Sequence, residues 1–137
     1  MLQFYLLSIV MNLIAGVMLS AGYLETKLTF LSGLKTLVEG KPTLNLTIGI
    51  ITFIVGIFKF LSVPRGDVPV VGDLFPALAG LVMGYTLVLD YYKSKSDVTS
   101  PFVETSVRLF LANRVPIGIA GIVIALLHFL FPRVLFL

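Results

Sequence analysis

Four long apolar runs organise the chain: 2–24, 44–63, 68–89 and 115–137. The first is broken only by Gln3, Asn12 and small residues. The second carries Asn45 near its start and Lys59 near its end. The third contains Asp73, and the fourth contains His128 and Arg133. Each is close to the roughly 20 residues an α-helix needs to cross a bilayer. Backbone polar groups inside lipid must bond within their own segment, which selects helices. The runs lack the ten-residue alternation of a membrane barrel. The expected fold is therefore all-α: a four-helix transmembrane bundle forming a single integral membrane domain over 1–137.

The connections differ in kind. Residues 25–43 and 91–114 are long and charged, whereas 62–68 is a tight Pro/Gly turn, SVPRGDV. Within the first long connection, Phe30, Leu31, Leu34, Leu37 and Val38 fall at helical spacing. Phe102, Val103, Val107, Phe110 and Leu111 do so in the second. Both patterns predict short amphipathic helices lying at the membrane interface. Ser100-Pro101 fits the start of the second, and Gly40 with Pro42 fits the end of the first. Seven basic residues fall in the two long connections: Lys27, Lys35, Lys41, Lys93, Lys95, Arg108 and Arg114. The positive-inside rule places both connections in the cytoplasm and both termini outside a cytoplasmic (inner) membrane. No Lys or Arg precedes Lys27, so the first run reads as a retained span rather than a cleaved signal.

The pattern also reads as two tandem copies of one unit: span, interfacial helix, span. Copy 1 covers about 1–66 and copy 2 about 67–137. At a shift of 69, TIGIITFIVGIFKFL (47–61) lies on PIGIAGIVIALLHFL (116–130) with five identities. Lys59 then falls on His128. At a shift of 64, the small pair Gly16/Ser20 falls on Gly80/Gly84, and in the other runs Thr52/Gly56 falls on Gly121/Ala125. These eight residues are the expected helix-packing positions, because small side chains let helix backbones approach in lipid. Units that each cross twice share one orientation, so the copies should relate by a two-fold along the membrane normal.

Composition agrees with this picture. Apolar residues make up 58% of the 137 and charged residues 12%, against about 25% charged in an ordinary soluble domain. Mean hydropathy is +1.05. A soluble fold of this size could not hide so much apolar surface. The net charge of +3 is scattered between apolar runs, with no basic stripe or aromatic platform, so no nucleic-acid partner is expected. There is no cysteine, which removes disulfide, thiolate and Cys-ligated metal chemistry. With one histidine and no catalytic motif, no metal site, cofactor or catalytic residue is expected.

The ionisable groups inside or beside the spans are the remaining candidates, since such groups are costly in lipid. Lys59 reads first as a side chain snorkelling to the outer headgroups. His128 lies at the same depth. Asp73, in GDLFP, reads as the N-cap of the third span, with Asp67 in the preceding turn. Together Lys59, Asp73, His128 and Asp67 could instead line an outer ion or solute contact. Asp90, near the end of the third span, calls for a partner, for which Lys93 at i+3 is the simplest choice. Asn12 and Asn45 suit interhelical hydrogen bonds. The expected function is that of a non-enzymatic, oligomeric structural or accessory subunit. It would work by helix association with lipid, with its own copies or with another membrane protein. The alternative is a small transporter or channel with a polar outer vestibule.

Overall fold

The computed structural model describes residues 2–61 and 74–131. Every element among them is helical, and no strand occurs there. The four long helices are α1 (Leu2–Leu19), α4 (Pro42–Leu61), α5 (Leu74–Lys95) and α7 (Arg114–Leu130). Shorter helices connect them: α2 (Ala21–Lys27), α3 (Leu34–Gly40) and α6 (Pro101–Ser106). By length and composition α4 and α5 can each cross a membrane. The pairs α1–α2 and α6–α7 pass the same test only as bent units, so two to four helices qualify.

The first apolar run does not make one helix. The chain turns by 80° between α1 and α2, ending the expected 2–24 span at Leu19. The turn falls at Ser20, which leaves helical geometry at φ −98° and ψ 12°; its Oγ and its N–H both donate to Gly16 O, at 2.6 and 3.0 Å. Helix α2 then carries Glu25 and Lys27 away along a new axis. The expected amphipathic helix over 29–38 is likewise divided. A single 3-10 turn covers Thr29–Leu31, and Gly33, at φ +90°, separates it from α3. Only glycine adopts that conformation without strain. Glu25 stabilises the restart, its carboxylate accepting from Gly33 N at 2.6 Å and Lys35 N at 3.3 Å, where the positive end of the new helix attracts an anion.

The second connector starts where expected. Ser100 Oγ accepts from Val103 N at 3.3 Å, with Pro101 in the first turn of α6. A π-helical turn over Val107–Leu111 follows. The chain then bends by 55° into α7.

The long helices pack as two close antiparallel pairs, α1 with α7 and α4 with α5, which then meet each other. Glycine makes both crossings close, and the two are built alike. A Cβ on Gly16 would lie 2.7 Å from Gly118 O and 3.3 Å from Ile122 N. A Cβ on Gly84 would lie 2.7 Å from Gly49 O and 2.6 Å from Phe53 N. Gly84 follows Gly16 by 68 residues, while Gly118 and Ile122 follow Gly49 and Phe53 by 69. Gly16 thus has the surroundings of Gly84, not of Gly80. A shift of 68, one helical turn from 64, is the one that lays Gly16 on Gly84. The core lies where the pairs meet and includes Ala15, Leu19, Met83 and Leu87.

Candidate functional site

Two polar clusters sit at opposite ends of the bundle. At the first, α1 begins while α4 and α7 end. Tyr5 on α1 donates its hydroxyl to His128 O at 2.6 Å. That carbonyl belongs to the last turn of α7, which lacks an intrahelical donor. The Tyr5 and His128 rings lie 4.7 Å apart and tilted by 56°. Lys59 Nζ stands 5.4 Å from the centre of the same Tyr5 ring, within cation–π range. Lys59 is 7% exposed and His128 1% exposed. The lysine is therefore covered by protein, which departs from the snorkelling expectation. Asp73 and Asp67 lie outside the described residues.

The second cluster sits where α1 ends and α7 begins. Asp90 on α5 accepts from Asn45 Nδ2 on α4 at 2.7 Å and pairs with Arg114 Nη1 on α7 at 3.3 Å. Arg114 Nε also donates to Leu19 O at 3.3 Å, an end carbonyl of α1. One carboxylate and one guanidinium thereby join all four long helices. This corrects the expected Asp90–Lys93 pair. Helix α5 runs on to Lys95, so Asp90 is not at its end, and the tertiary partners reach it first.

Helices α1 and α7 thus cap each other. Tyr5 of α1 serves a terminal carbonyl of α7, and Arg114 of α7 serves the terminal carbonyl of α1. Midway between the clusters Asn12 Nδ2 donates to Pro76 O at 2.9 Å in a buried position. Among the described residues no three His, Cys, Asp or Glu side chains gather as metal ligands.

The eight small residues lie at contacts within the chain. Gly16 and Ser20 face α7 at Gly118, while Gly84 and Gly56 face α4 and α5 backbone respectively at the other crossing. A Cβ on Gly80 would meet Asn12 Oδ1 at 3.1 Å and Thr52 O at 3.3 Å. Gly121 accommodates the side chain of Met83, and Ala125 is buried. Gly49 and Gly118, where an added Cβ would face neighbouring helix backbone at 3.0 and 2.6 Å, are not among the small-pair positions. Their signal was present as the shared Ile-Gly-Ile of the 69-residue alignment. Tyr5 and Arg114 were also missed as site residues. Arg114 follows Asn45 by 69 residues, so the same alignment pairs the two ligands of Asp90. Nothing in the sequence pattern singles out Tyr5.

These features define an all-helical chain with helices long and apolar enough to cross a membrane, tied by polar side chains at both ends. A protein-family model matches residues 1–128. A protein of Treponema pallidum (strain Nichols), described as an uncharacterized protein, is 30% identical over 137 residues, covering 100% of both chains. The chain belongs to the family of that protein. No solved structure matches it.

Proposed function

We propose that the chain is a four-span integral membrane protein built from two tandem copies, serving as a non-enzymatic structural or accessory subunit. The matching surroundings of Gly16 and Gly84 support the two copies. In this arrangement the first span of each copy packs on the last span of the other. Both termini then lie outside, and α2, α3 and α6 lie at the cytoplasmic interface.

One observation carries the functional reading. Several interior polar side chains bond from helix to helix: Asn12 to Pro76 O, Asn45 to Asp90, Arg114 to Asp90 and Leu19 O, Tyr5 to His128 O. Polar groups used this way hold a bundle together. The glycine faces are consumed inside the chain, so association with other copies or another membrane protein falls to the outward apolar faces. These include Val10 and Phe58, both exposed. The mass of the purified protein in lipid nanodiscs tests this. More than one chain per particle, or a fixed stoichiometric partner from its own membrane, is expected. A lone monomer in both settings overturns it.

The second reading is a small ion or solute transporter with Lys59, His128, Asp73 and Asp67 at an outer vestibule. The burial of Lys59 and His128 around Tyr5 favours it, since intramembrane ionisable groups are functional candidates. Ion or solute flux in proteoliposomes that disappears in Lys59→Met and Asp73→Asn would establish it over the first.

A further inference from the structure

A cavity of about 130 Å³ lies where α1 gives way to α2. Leu19 and Val38, both buried, give it an apolar lining, and Gly22, Lys35, Glu39 and Arg114 line the rest. One ordered water needs only about 10–15 Å³ of such space, so a larger polar group fits.

The internal repeat accounts for the cavity. Gly22 precedes Asp90 by 68 residues, and Arg114 follows Asn45 by 69. In one half of the bundle Asp90 accepts from Asn45 at 2.7 Å. In the other half glycine stands in place of that aspartate, and arginine in place of that asparagine. Helix α5 also runs on past Asp90 to Lys95, whereas the chain turns by 80° between α1 and α2. Neither an aspartate nor a continuing helix therefore occupies the place beside Arg114.

Arg114 has donors to spare. Its Nε reaches Leu19 O and its Nη1 reaches Asp90, both at 3.3 Å, long for a charge-assisted bond. Its Nη2 forms no hydrogen bond among the described residues. Glu25, the one carboxylate of α2, is taken up by the backbone N–H groups of Gly33 and Lys35. Lys35 and Glu39 stand 3.9 Å apart with both side chains more than half exposed, a pairing worth little against water. The cavity thus offers two cations and one carboxylate beside apolar side chains.

We propose that this cavity takes the headgroup of an aminophospholipid, with its phosphate on Arg114 and Lys35 and its primary ammonium on Glu39. The inference rests on the membrane reading above, which puts α2 and α3 at the interface where headgroups lie. The phosphate takes the part beside Arg114 that the Asp90 carboxylate takes beside Asn45. A purely anionic headgroup leaves Glu39 facing a like charge, and a choline offers that carboxylate no N–H donor.

Protein purified in non-ionic detergent and stripped of lipid is offered equal amounts of phosphatidylethanolamine, phosphatidylglycerol and phosphatidylcholine with identical acyl chains. Native mass spectrometry counts the adducts. Retention of phosphatidylethanolamine about tenfold above either rival is expected, the discrimination one charge-assisted hydrogen bond supplies. Glu39→Gln should pass the preference to phosphatidylglycerol. A Cβ on Gly22 meets only Lys35 Cδ, at 3.7 Å, so Gly22→Asp brings in a carboxylate and should abolish the preference. Arg114→Gln should do the same, with Lys35→Gln in its place should that variant unfold. Equal retention, preference for phosphatidylglycerol in the unaltered protein, or a phosphatidylethanolamine preference that survives Gly22→Asp would overturn the proposal. Displacement of the lipid by free phosphoethanolamine would overturn it too, in favour of a soluble amine phosphate. Protein that stays monodisperse once detergent is removed would instead sink the membrane reading.

Discussion

Gly16 of α1 and Gly118 of α7 face each other backbone to backbone: a methyl on Gly118 would lie 2.6 Å from Gly16 O, and one on Gly16 would lie 2.7 Å from Gly118 O. Gly118→Ala should therefore force the helices apart and cost about 1–3 kcal/mol, the usual penalty of overpacking. Gly40→Ala is the contrast. A Cβ there meets nothing within 4 Å, so stability should stay level or rise by up to about 1 kcal/mol. Unfolding in mixed detergent micelles measures both.

Asp90 holds Asn45 and Arg114 at once. Asp90→Ala should cost about 2 kcal/mol, since it removes hydrogen bonds to a charged group and strands two donors. Lys93→Ala should change stability by less than about 0.5 kcal/mol. A double-mutant cycle between positions 90 and 114 should return a coupling of about 0.5–3 kcal/mol. No coupling would mean that the pair does not hold α5 to α7.

Tyr5→Phe keeps the ring beside Lys59 and His128 but deletes the cap on α7. The expected loss is about 0.5–1.5 kcal/mol, with amide exchange rising in the last turn of α7. Tyr5→Ala also removes the ring that Lys59 faces and should cost more. Equal losses in the two variants would deny the ring any part.

Single cysteines settle sidedness without background, because the chain has none of its own. Lys35→Cys and Arg108→Cys should react with an impermeant maleimide from the same face of sealed vesicles, the cytoplasmic one. Labelling from opposite faces would dismantle the proposed topology.

Much of the helical layout could be read from apolar runs of near-spanning length, and the start of α6 from Ser100-Pro101. The breaks could not. Hydrophobicity continues through Ser20 to Leu24, so nothing in the run announces the turn between Leu19 and Ala21. The division at Gly33 was hidden because Leu31 and Leu34 keep helical spacing across it. The one-turn difference between the two ways of aligning the first and third runs has a similar origin. Four residues return a helix almost to the same face, so small-residue spacing alone fits either register. The partners of Asp90 were illegible because Asn45 and Arg114 lie 45 and 24 residues away. Only the packed helices bring them together.

The pairing of α1 with α7 has a consequence for biosynthesis. Helix α1 takes its closest neighbour, α7, from much later in the chain. In the proposed membrane arrangement, until residue 130 has been delivered α1 waits in the bilayer with Gly16 and the Leu19 carbonyl exposed to whatever surrounds them. On that proposed reading the pair cannot form before α7 is made, and a nascent chain truncated before α7 should be a substrate for membrane proteases or insertion chaperones rather than a stable half.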